Sequence, residues 1–298
     1  MLSAMPWFSY HSGHSGQYCQ HAKGKLADVV QTAVEQGFSH YGLSEHCPRE
    51  RVQDLYPNEE AGGTAQLAEA FESYNREARA LQARYAGQID ILVGFETERL
   101  PPLRWAQYMT ELRERYQPDY IIGSVHDVDG VWIDMSPELT EQAAEHCGGR
   151  EALQRKYFVA LADLVTTLRP EVVGHLDLVR KFDGPEAGFS PAVLAEAERT
   201  MEAIRAVGAV LDVNPGAYRR KLSPVYPLPE LLIRARQMGI GVTLGDDGHG
   251  PHDVGAGLDA CMTAIAAAGY QEVHYLGHLD GQVQLQSAPI AEVQPRSR

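Results

Sequence analysis

The chain has 298 residues, of which 44% are hydrophobic and 22% charged, and it carries a formal net charge of −14. This composition is typical of a globular protein with a sizeable core. The negative charge argues against a protein that follows a nucleic-acid backbone, because such proteins need a basic surface. A small anionic substrate stays possible, since bound divalent cations can invert the local potential of a site.

No apolar run is long enough to span a bilayer, and residues 1–7 lack the basic flank and apolar core of a signal peptide. We therefore expect a cytoplasmic protein without a membrane partner. The four cysteines, Cys19, Cys47, Cys147 and Cys261, form no CxxC pair. Their spacing predicts reduced thiols rather than a disulfide framework or a zinc ribbon.

Helical and strand-like patterns alternate along the chain. Apolar spacing predicts helices at residues 24–36, 65–85, 103–116, 150–168, 193–207, 228–238 and 254–268, and strands at residues 38–43, 89–93, 120–123, 171–173, 209–213, 240–244 and 273–276. About seven strand and helix units without a low-complexity linker indicate one α/β domain, residues 1–298, with a mainly parallel sheet.

Polar residues of the kind that bind metals follow nearly every predicted strand. They are His11, His14, His21, His46, Glu96, His126, His175, Asp247 and His249. Such a distribution favours a barrel, where all the loops after the strands line one mouth, over an open doubly wound sheet, which concentrates its site at one switch point. Imidazole and carboxylate suit zinc, iron and manganese, and nine such residues are enough for two or three ions.

The opening stretch is ambiguous by itself, because His11–His21, with its Gly and Ser residues, is equally typical of a disordered leader or a tag. The ordered series of motifs decides between these interpretations. It comprises this stretch, Ser44–Pro48, Gly94–Glu96, Gly123–His126, Val173–Leu178, Asp212–Asn214 and Gly245–His249. From about His11 to Leu276 the chain resembles the PHP (polymerase and histidinol phosphatase) family, in its histidinol-phosphate phosphatase branch.

The resemblance implies a distorted (β/α)7 TIM-like barrel of the PHP type with three divalent metal ions, either zinc, iron or manganese. Carried over to this chain, His11, His14, Glu96 and Asp247 would hold one ion. Glu96 would bridge it to a second ion on His126 and His175, and a third would lie on His21, His46 and His249.

Two residues depart from the family pattern Asp-x-His-x-His. Ser9 stands where the aspartate is expected, and Gly13 adds a residue between His11 and His14. An aspartate there would orient its neighbouring histidine, so its loss predicts a weaker or reshaped first metal site.

The implied reaction is hydrolysis of L-histidinol phosphate to L-histidinol and phosphate in histidine biosynthesis. Metal ions close together would activate water and neutralise the phosphoryl charge. Catalysis is expected to depend on Glu96, Asp247 and Arg219. A phosphate contact is expected from Arg219 or Arg220, whose guanidinium suits a bidentate contact, and less strongly from Arg180 or Lys181. Three acidic residues beyond the ligand positions, Glu98, Asp127 and Asp177, are candidates for the histidinol amine and imidazole.

Three alternatives stay open. The first is a PHP phosphoesterase acting on another phosphomonoester or a nucleotide. The second is a metal-dependent amidohydrolase, which would need a bridging carboxylated lysine at a strand end. The third is a metal-binding protein without turnover. Oligomeric state cannot be read from the sequence.

Overall fold

The structure, a computed structural model, describes residues 6–56, 59–184, 187–221 and 225–295. Its strands are β1 (Phe8–Ser9), β2 (His40–His46), β3 (Asp90–Glu96), β4 (Tyr120–Gly123), β5 (Asp127–Val128), β6 (Val131–Trp132), β7 (Val172–Val173), β8 (Val210–Val213), β9 (Val242–Leu244), β10 (Glu272–Leu279) and β11 (Gln282–Pro289). Its helices are α1 (Leu26–Glu35), α2 (Gly63–Arg84), α3 (Trp105–Tyr116), α4 (Pro137–Cys147), α5 (Arg150–Leu168), α6 (Pro191–Val207), α7 (Gly216–Arg219), α8 (Pro229–Gln237) and α9 (Leu258–Ala267).

Seven parallel strands form the central sheet, in the order β1-β2-β3-β4-β7-β8-β9. Its two edges meet, because the amide of Tyr10, just after β1, donates a 2.9 Å hydrogen bond to the carbonyl of Leu244 at the end of β9. The result is a nearly closed barrel surrounded by helices, which confirms the predicted distorted (β/α)7 architecture.

Apolar spacing explains how the helices pack on the barrel. In α1 the buried residues are Leu26, Val29, Val30 and Ala33, which fall on one helical face. Helices α4 and α6 are capped by Ser136 and Ser190, the residues just before them, whose hydroxyls accept hydrogen bonds from amides three residues later. The strands are buried on both faces, as expected for a parallel sheet covered by helices.

The membership of the barrel differs from the prediction in one strand. The predicted strand 273–276 is β10, which pairs antiparallel with β11 outside the barrel. This hairpin lies across the amino ends of the strands, where the Tyr10 hydroxyl donates to Leu276 O at 2.5 Å and the His278 amide donates to Asp90 at 2.8 Å. The seventh barrel strand is β1, whose two residues are too few to show a periodic pattern.

The sequence also left α4, α7, β11 and the short hairpin β5–β6 unpredicted. None of the described helices is both long and apolar enough to cross a membrane. The single domain of residues 1–298 stays a prediction, because it includes residues outside the described ranges. The expectation that residues 1–7 are not a signal peptide also stays a prediction, because residues 1–5 lie outside the described ranges.

Candidate metal centre

The nine predicted ligands lie together at the carboxyl end of the barrel. Strand register explains part of this arrangement, because His46 and Glu96 end neighbouring strands and are paired residues of β2 and β3. The others lie in the loops that follow β1, β4, β7 and β9. In a barrel of parallel strands these loops converge on one mouth, so residues far apart in sequence become neighbours.

Glu96 is at the centre of the cluster and is 1% exposed. Its Oε1 lies 3.1 Å from Nε2 of His11 and 3.2 Å from Nε2 of both His126 and His175. Its Oε2 lies 3.0 Å from Nδ1 of His46. One oxygen therefore faces histidines of the first and second expected sets, and the other faces His46 of the third, so one carboxylate contacts all three sets.

A second group of imidazoles stacks beside Glu96. The ring of His14 lies 4.5 Å from the rings of both His46 and His249, and His21 lies 4.9 Å from His249. Asp247 lies between the two groups, with Oδ1 3.9 Å from His11 Nε2 and 3.6 Å from His249 Nδ1. Its φ of 48° is in the left-handed region, a strain that is common at functional sites.

Donor atoms of the described residues fall into four groups in which all lie within 4.8 Å of one another. They are His11, His14 and Glu96; His14, Asp247 and His249; Glu96, His126 and His175; and Cys19, His21, His46 and His249. These groups agree with the three expected sets except in two respects. Asp247 groups with His14 and His249 rather than with His11 and Glu96, and Cys19 joins the third set.

The histidines are in a chemical state that suits metal ions. Buried nitrogens without a hydrogen-bond partner among the described residues include Nε2 of His14 and Nε2 of His46. Unpaired buried nitrogens are costly in the protein alone, whereas a metal ion would satisfy them. Burial, together with the charge of His14, lowers the pKa of His249 to about 4, so this imidazole is neutral and able to bind a metal near pH 7.

Glu96 is ionised despite its burial. Burial alone would raise its pKa, but the neighbouring charges of His11, His126 and His46 outweigh this effect and hold the pKa of Glu96 well below its usual range. The centre therefore offers an anionic carboxylate among imidazoles, the donor set expected for zinc and related divalent ions. The residues present fit the implied metals.

The altered opening motif leaves both His11 and His14 in the cluster. Nδ1 of His11 lies 2.9 Å from the carboxylate of Asp212 in β8, which takes the orienting role expected of an aspartate at position 9. Ser9 instead accepts a hydrogen bond from the Asp246 amide. Gly13 has a φ of 82°, and a Cβ there would lie 2.7 Å from Leu43, so the extra residue forms a bend that only glycine fits.

Two more carboxylates orient histidines in the same way. Glu45 lies 3.2 Å from Nδ1 of His14, and Glu98 lies 2.9 Å from Nδ1 of His126. In each pair the carboxylate fixes the orientation and the tautomer of the ring, and the other ring nitrogen is left for a metal. The sequence singled out Glu98 but not Glu45 or Asp212, although both follow the rule of polar residues at strand ends.

A cavity of about 310 Å³ opens beside the cluster. Besides seven of the predicted ligands, it is lined by two cationic residues, Lys181 and Arg220, and by Asp134, Tyr56 and Tyr226. Metals, cations and aromatic rings therefore would face the same space. Such a space suits a small anionic molecule with an unsaturated ring.

A model of the PHP domain family matches residues 9–216. The chain belongs to the PHP domain family. The nine predicted ligands and Cys19 make ten residues, and the matched segment contains eight of them. The other two, Asp247 and His249, lie in the loop after β9.

Curated relatives of this PHP protein include a protein of Schizosaccharomyces pombe named "Probable histidinol-phosphatase", 41% identical over 83% of this chain and 82% of its own. A Saccharomyces cerevisiae protein named "Histidinol-phosphatase" is 26% identical over 84% of this chain and 85% of its own. Among solved structures, the HisK protein of Listeria monocytogenes matches with a TM-score of 0.72 at 20% identity, covering 86% of this chain and 99% of that one.

A second solved structure is a histidinol phosphate phosphatase from Lactococcus lactis, complexed with zinc, L-histidinol and phosphate. It matches with a TM-score of 0.65 at 20% identity and covers 94% of this chain and 98% of its own. These structural matches support the PHP-type barrel.

The predicted arginines of this PHP domain do not share one location. Arg220 lines the cavity, whereas Arg219 donates hydrogen bonds to the carbonyls of Asp246, Asp247 and Ala256. Arg219 therefore holds the loop that carries Asp247 and does not line the cavity. Arg180 is 2% exposed and donates to Asp177 at 2.5 Å, so it too lies behind the cavity wall.

Acidic candidates for the substrate are also placed outside the cavity lining. Glu98 binds His126, Asp177 binds Arg180, and Asp127 accepts a 2.9 Å hydrogen bond from the Gly130 amide. The cavity carboxylate that the sequence missed is Asp134, which follows β6. Lys181 also lines the cavity and donates to the Asp134 carboxylate at 3.2 Å.

Replacing Asp212 tests how this PHP domain compensates for Ser9. Because Asp212 orients His11, we expect Asp212→Asn to weaken metal affinity by about 10–100-fold while the fold is kept. Competition with a fluorescent zinc chelator would measure the affinity. Asp259→Asn, an exposed change on α9, is the matched control, and equal affinities in the two variants would contradict the orienting role.

Proposed function

We propose that this chain hydrolyses L-histidinol phosphate to L-histidinol and phosphate as a metal-dependent phosphomonoesterase of histidine biosynthesis. The names of the curated relatives at 41% and 26% identity support this substrate. The Lactococcus lactis structure, which carries zinc, L-histidinol and phosphate, supports the same reaction class and a divalent metal.

The observation that carries the proposal is the cavity at the mouth of the barrel. Seven predicted ligands, the cations of Lys181 and Arg220, and the carboxylate of Asp134 line one space of about 310 Å³. A phosphomonoester of an amino alcohol needs these three elements together: a metal centre for the phosphoryl group, cations for its charge, and an anion for the amine.

We propose three divalent ions as cofactors. Glu96 would bridge one ion near His11 and His14 to another near His126 and His175, and a third would lie near His21, His46 and His249, with Asp247 between the groups. Zinc, iron and manganese all suit these ligands. When bound, such cations make water nucleophilic near neutral pH and neutralise the charge that develops on the phosphoryl oxygens.

The chain itself would bind and orient the substrate. Lys181 is 10% exposed in its side chain and is held by the carbonyl of Asp134 at 2.6 Å, which leaves its ammonium facing the cavity from a fixed position. Arg220 approaches from α7 with a planar guanidinium that matches two phosphoryl oxygens. We propose Arg220 and Lys181, rather than Arg219 and Arg180, as the phosphate contacts.

Asp134 would distinguish histidinol phosphate from other phosphomonoesters. Burial opposes its ionisation, but the charges of Lys181 and His126 outweigh that effect and lower the pKa of Asp134 below its usual value. The carboxylate is therefore negative near pH 7, and it suits the substrate ammonium. Tyr56 and Tyr226 line the same cavity and offer aromatic faces to the imidazole.

Phosphate release tests the proposed substrate. Purified protein would be assayed with L-histidinol phosphate, p-nitrophenyl phosphate and a nucleoside monophosphate, as isolated and after refilling with zinc or manganese. A strong preference for histidinol phosphate is expected. Equal, slow cleavage of all three would favour a phosphoesterase of another substrate, and bound metal without any cleavage would favour a metal-binding protein.

Substituting Arg220 should chiefly weaken substrate binding. A hydrogen bond to a charged group contributes roughly 1.5–3 kcal/mol, so for this exposed side chain we expect Arg220→Gln to raise KM about tenfold with a smaller change in kcat. Steady-state kinetics with histidinol phosphate would measure both constants. Arg205→Gln, on the exposed face of α6, is the control; an unchanged KM in Arg220→Gln would remove Arg220 from the binding site.

The charge of Asp134 should affect the preference for histidinol phosphate more than the rate of phosphate ester cleavage. We expect Asp134→Asn to lower kcat/KM for histidinol phosphate about tenfold, since a charge-assisted contact is lost, while cleavage of p-nitrophenyl phosphate, which has no amine, changes little. The ratio of the two kcat/KM values is the measurement. If both substrates lose activity equally, Asp134 does not recognise the amine.

The absence of nucleic-acid partners and the cytoplasmic location remain predictions from charge and from the N-terminal sequence.

A further inference from the structure

The third ligand group contains a cysteine that lies outside the nine predicted positions. Sγ of Cys19 is 3.3 Å from both ring nitrogens of His21, and its distance to donor atoms of His46 and His249 is within 4.8 Å. The side chain of Cys19 is buried, at 5% exposed, whereas His21 lies at the exposed rim of the mouth. Cys19 therefore faces the group from its inner side.

The backbone fixes Cys19 in this position. The amide of Cys19 donates to Ser15 O at 2.9 Å, and the amide of Ala22 donates to Cys19 O at 3.1 Å, so Cys19 and His21 lie on one closed turn. The amide of Lys23 then donates to His249 O at 2.9 Å, which attaches this turn to the loop after β9. Two segments more than two hundred residues apart thus present their donors to the same point.

The neighbouring imidazoles have nitrogens that nothing else occupies. Nε2 of His46 is buried without a hydrogen-bond partner among the described residues, and so is Nε2 of the fully buried His14, whose ring lies 4.5 Å from those of His46 and His249. These nitrogens point to a cation in this part of the mouth independently of the cysteine.

We propose that Cys19 is a fourth protein ligand of the ion held by His21, His46 and His249, and that it makes this position selective for zinc over manganese. The proposal rests on the proposed metal centre. On binding, the Sγ–H bond breaks, the proton leaves to solvent, and the thiolate forms a bond to the metal. One sulfur and three nitrogens form a donor set that zinc takes readily, whereas manganese prefers oxygen.

X-ray absorption on the wild-type protein loaded with zinc tests the bond without any substitution. We expect one sulfur scatterer per chain at about 2.3 Å, beside nitrogen and oxygen at about 2.0–2.2 Å. A spectrum that fits nitrogen and oxygen alone would overturn the proposal and would mean that the Cys19 thiol only packs against His21.

Cobalt substitution gives a second readout. Wild-type protein and Cys147→Ser, which changes a thiol outside the ligand groups, should show a near-ultraviolet charge-transfer band from thiolate to cobalt, and Cys19→Ser should lack it. Cys19→Ser should also lose zinc affinity at one position by at least about tenfold, with manganese affinity changed little. Identical spectra and zinc affinities in the three proteins would overturn the proposal.

The outcome is separable from that of the proposed function. Histidinol phosphate hydrolysis by a protein without a metal–sulfur bond would remove Cys19 from the centre and leave the phosphatase standing. A metal–sulfur bond in a protein that cleaves no phosphomonoester would keep the ligand and remove the function.

Discussion

The substitution Glu96→Gln is expected to lower kcat by at least about a thousandfold, the largest effect of any single substitution in this chain. Glutamine keeps the volume of glutamate but removes the negative charge that lies within 3.2 Å of four histidines. It also replaces one of the two oxygens with an NH2 group that cannot bind a metal. Both ions that Glu96 would join are therefore weakened together.

The measurement is phosphate release from histidinol phosphate, combined with metal content by mass spectrometry. We expect Glu96→Gln to retain fewer ions per chain than the wild type after dialysis. Glu141→Gln, an exposed change on α4, is the control and should match the wild type. Full metal content together with a kcat within about tenfold of the wild type would be incompatible with a bridging Glu96.

Removal of the metals is expected to abolish activity and to lower thermal stability. Without cations the cluster leaves buried imidazole nitrogens unpaired, a cost that bound ions would remove. A ligand at a hundred times its Kd stabilises the native state by about 2.7 kcal/mol per site. For a chain of this size that corresponds to a fall in Tm of roughly 4 °C for each site that is emptied.

Dialysis against a chelator, followed by removal of the chelator, would give the metal-free protein for calorimetry and assay. Refilling with zinc or manganese should restore both Tm and phosphate release, and a sample dialysed without chelator is the control. Undiminished turnover by metal-free protein would reject the metal-dependent mechanism. An unchanged Tm would show instead that the ions bind too weakly to stabilise the fold.

The alternation of strands and helices, and the placement of polar residues after the strands, could be predicted because both depend on local patterns. Strand β3 is a continuous apolar run that ends in Glu96, and such runs are buried in parallel sheets whose carboxyl ends form the site. Strand β1 has only two residues, and the short apolar segment 273–276 within β10 does not show which sheet it joins. That β10 pairs antiparallel with β11, and not with a strand of the barrel, cannot be inferred from its composition.

Side-chain direction was the main limit within the site. Arg219 and Arg220 are adjacent in sequence, and nothing local shows that the first turns toward the carbonyls of the Asp247 loop while the second lines the cavity. Likewise, the loss of an aspartate at position 9 predicted a weakened site, because the sequence could not show that Asp212, more than two hundred residues away, faces His11. When a distant residue takes over a role in this way, the contact depends on how the barrel closes and not on the spacing of residues in the sequence.

The closure of the barrel between Tyr10 and Leu244 has a consequence for the order of events during protein synthesis. His11 leaves the ribosome before His249, which follows 238 residues later, a difference of about 12–48 s at typical translation rates of roughly 5–20 residues per second. During that interval β1 has an unpaired edge and the ligand groups are incomplete. Binding of the full set of metal ions therefore requires that β9 has already paired with β1. A nascent chain interrupted before residue 249 cannot have formed the complete centre.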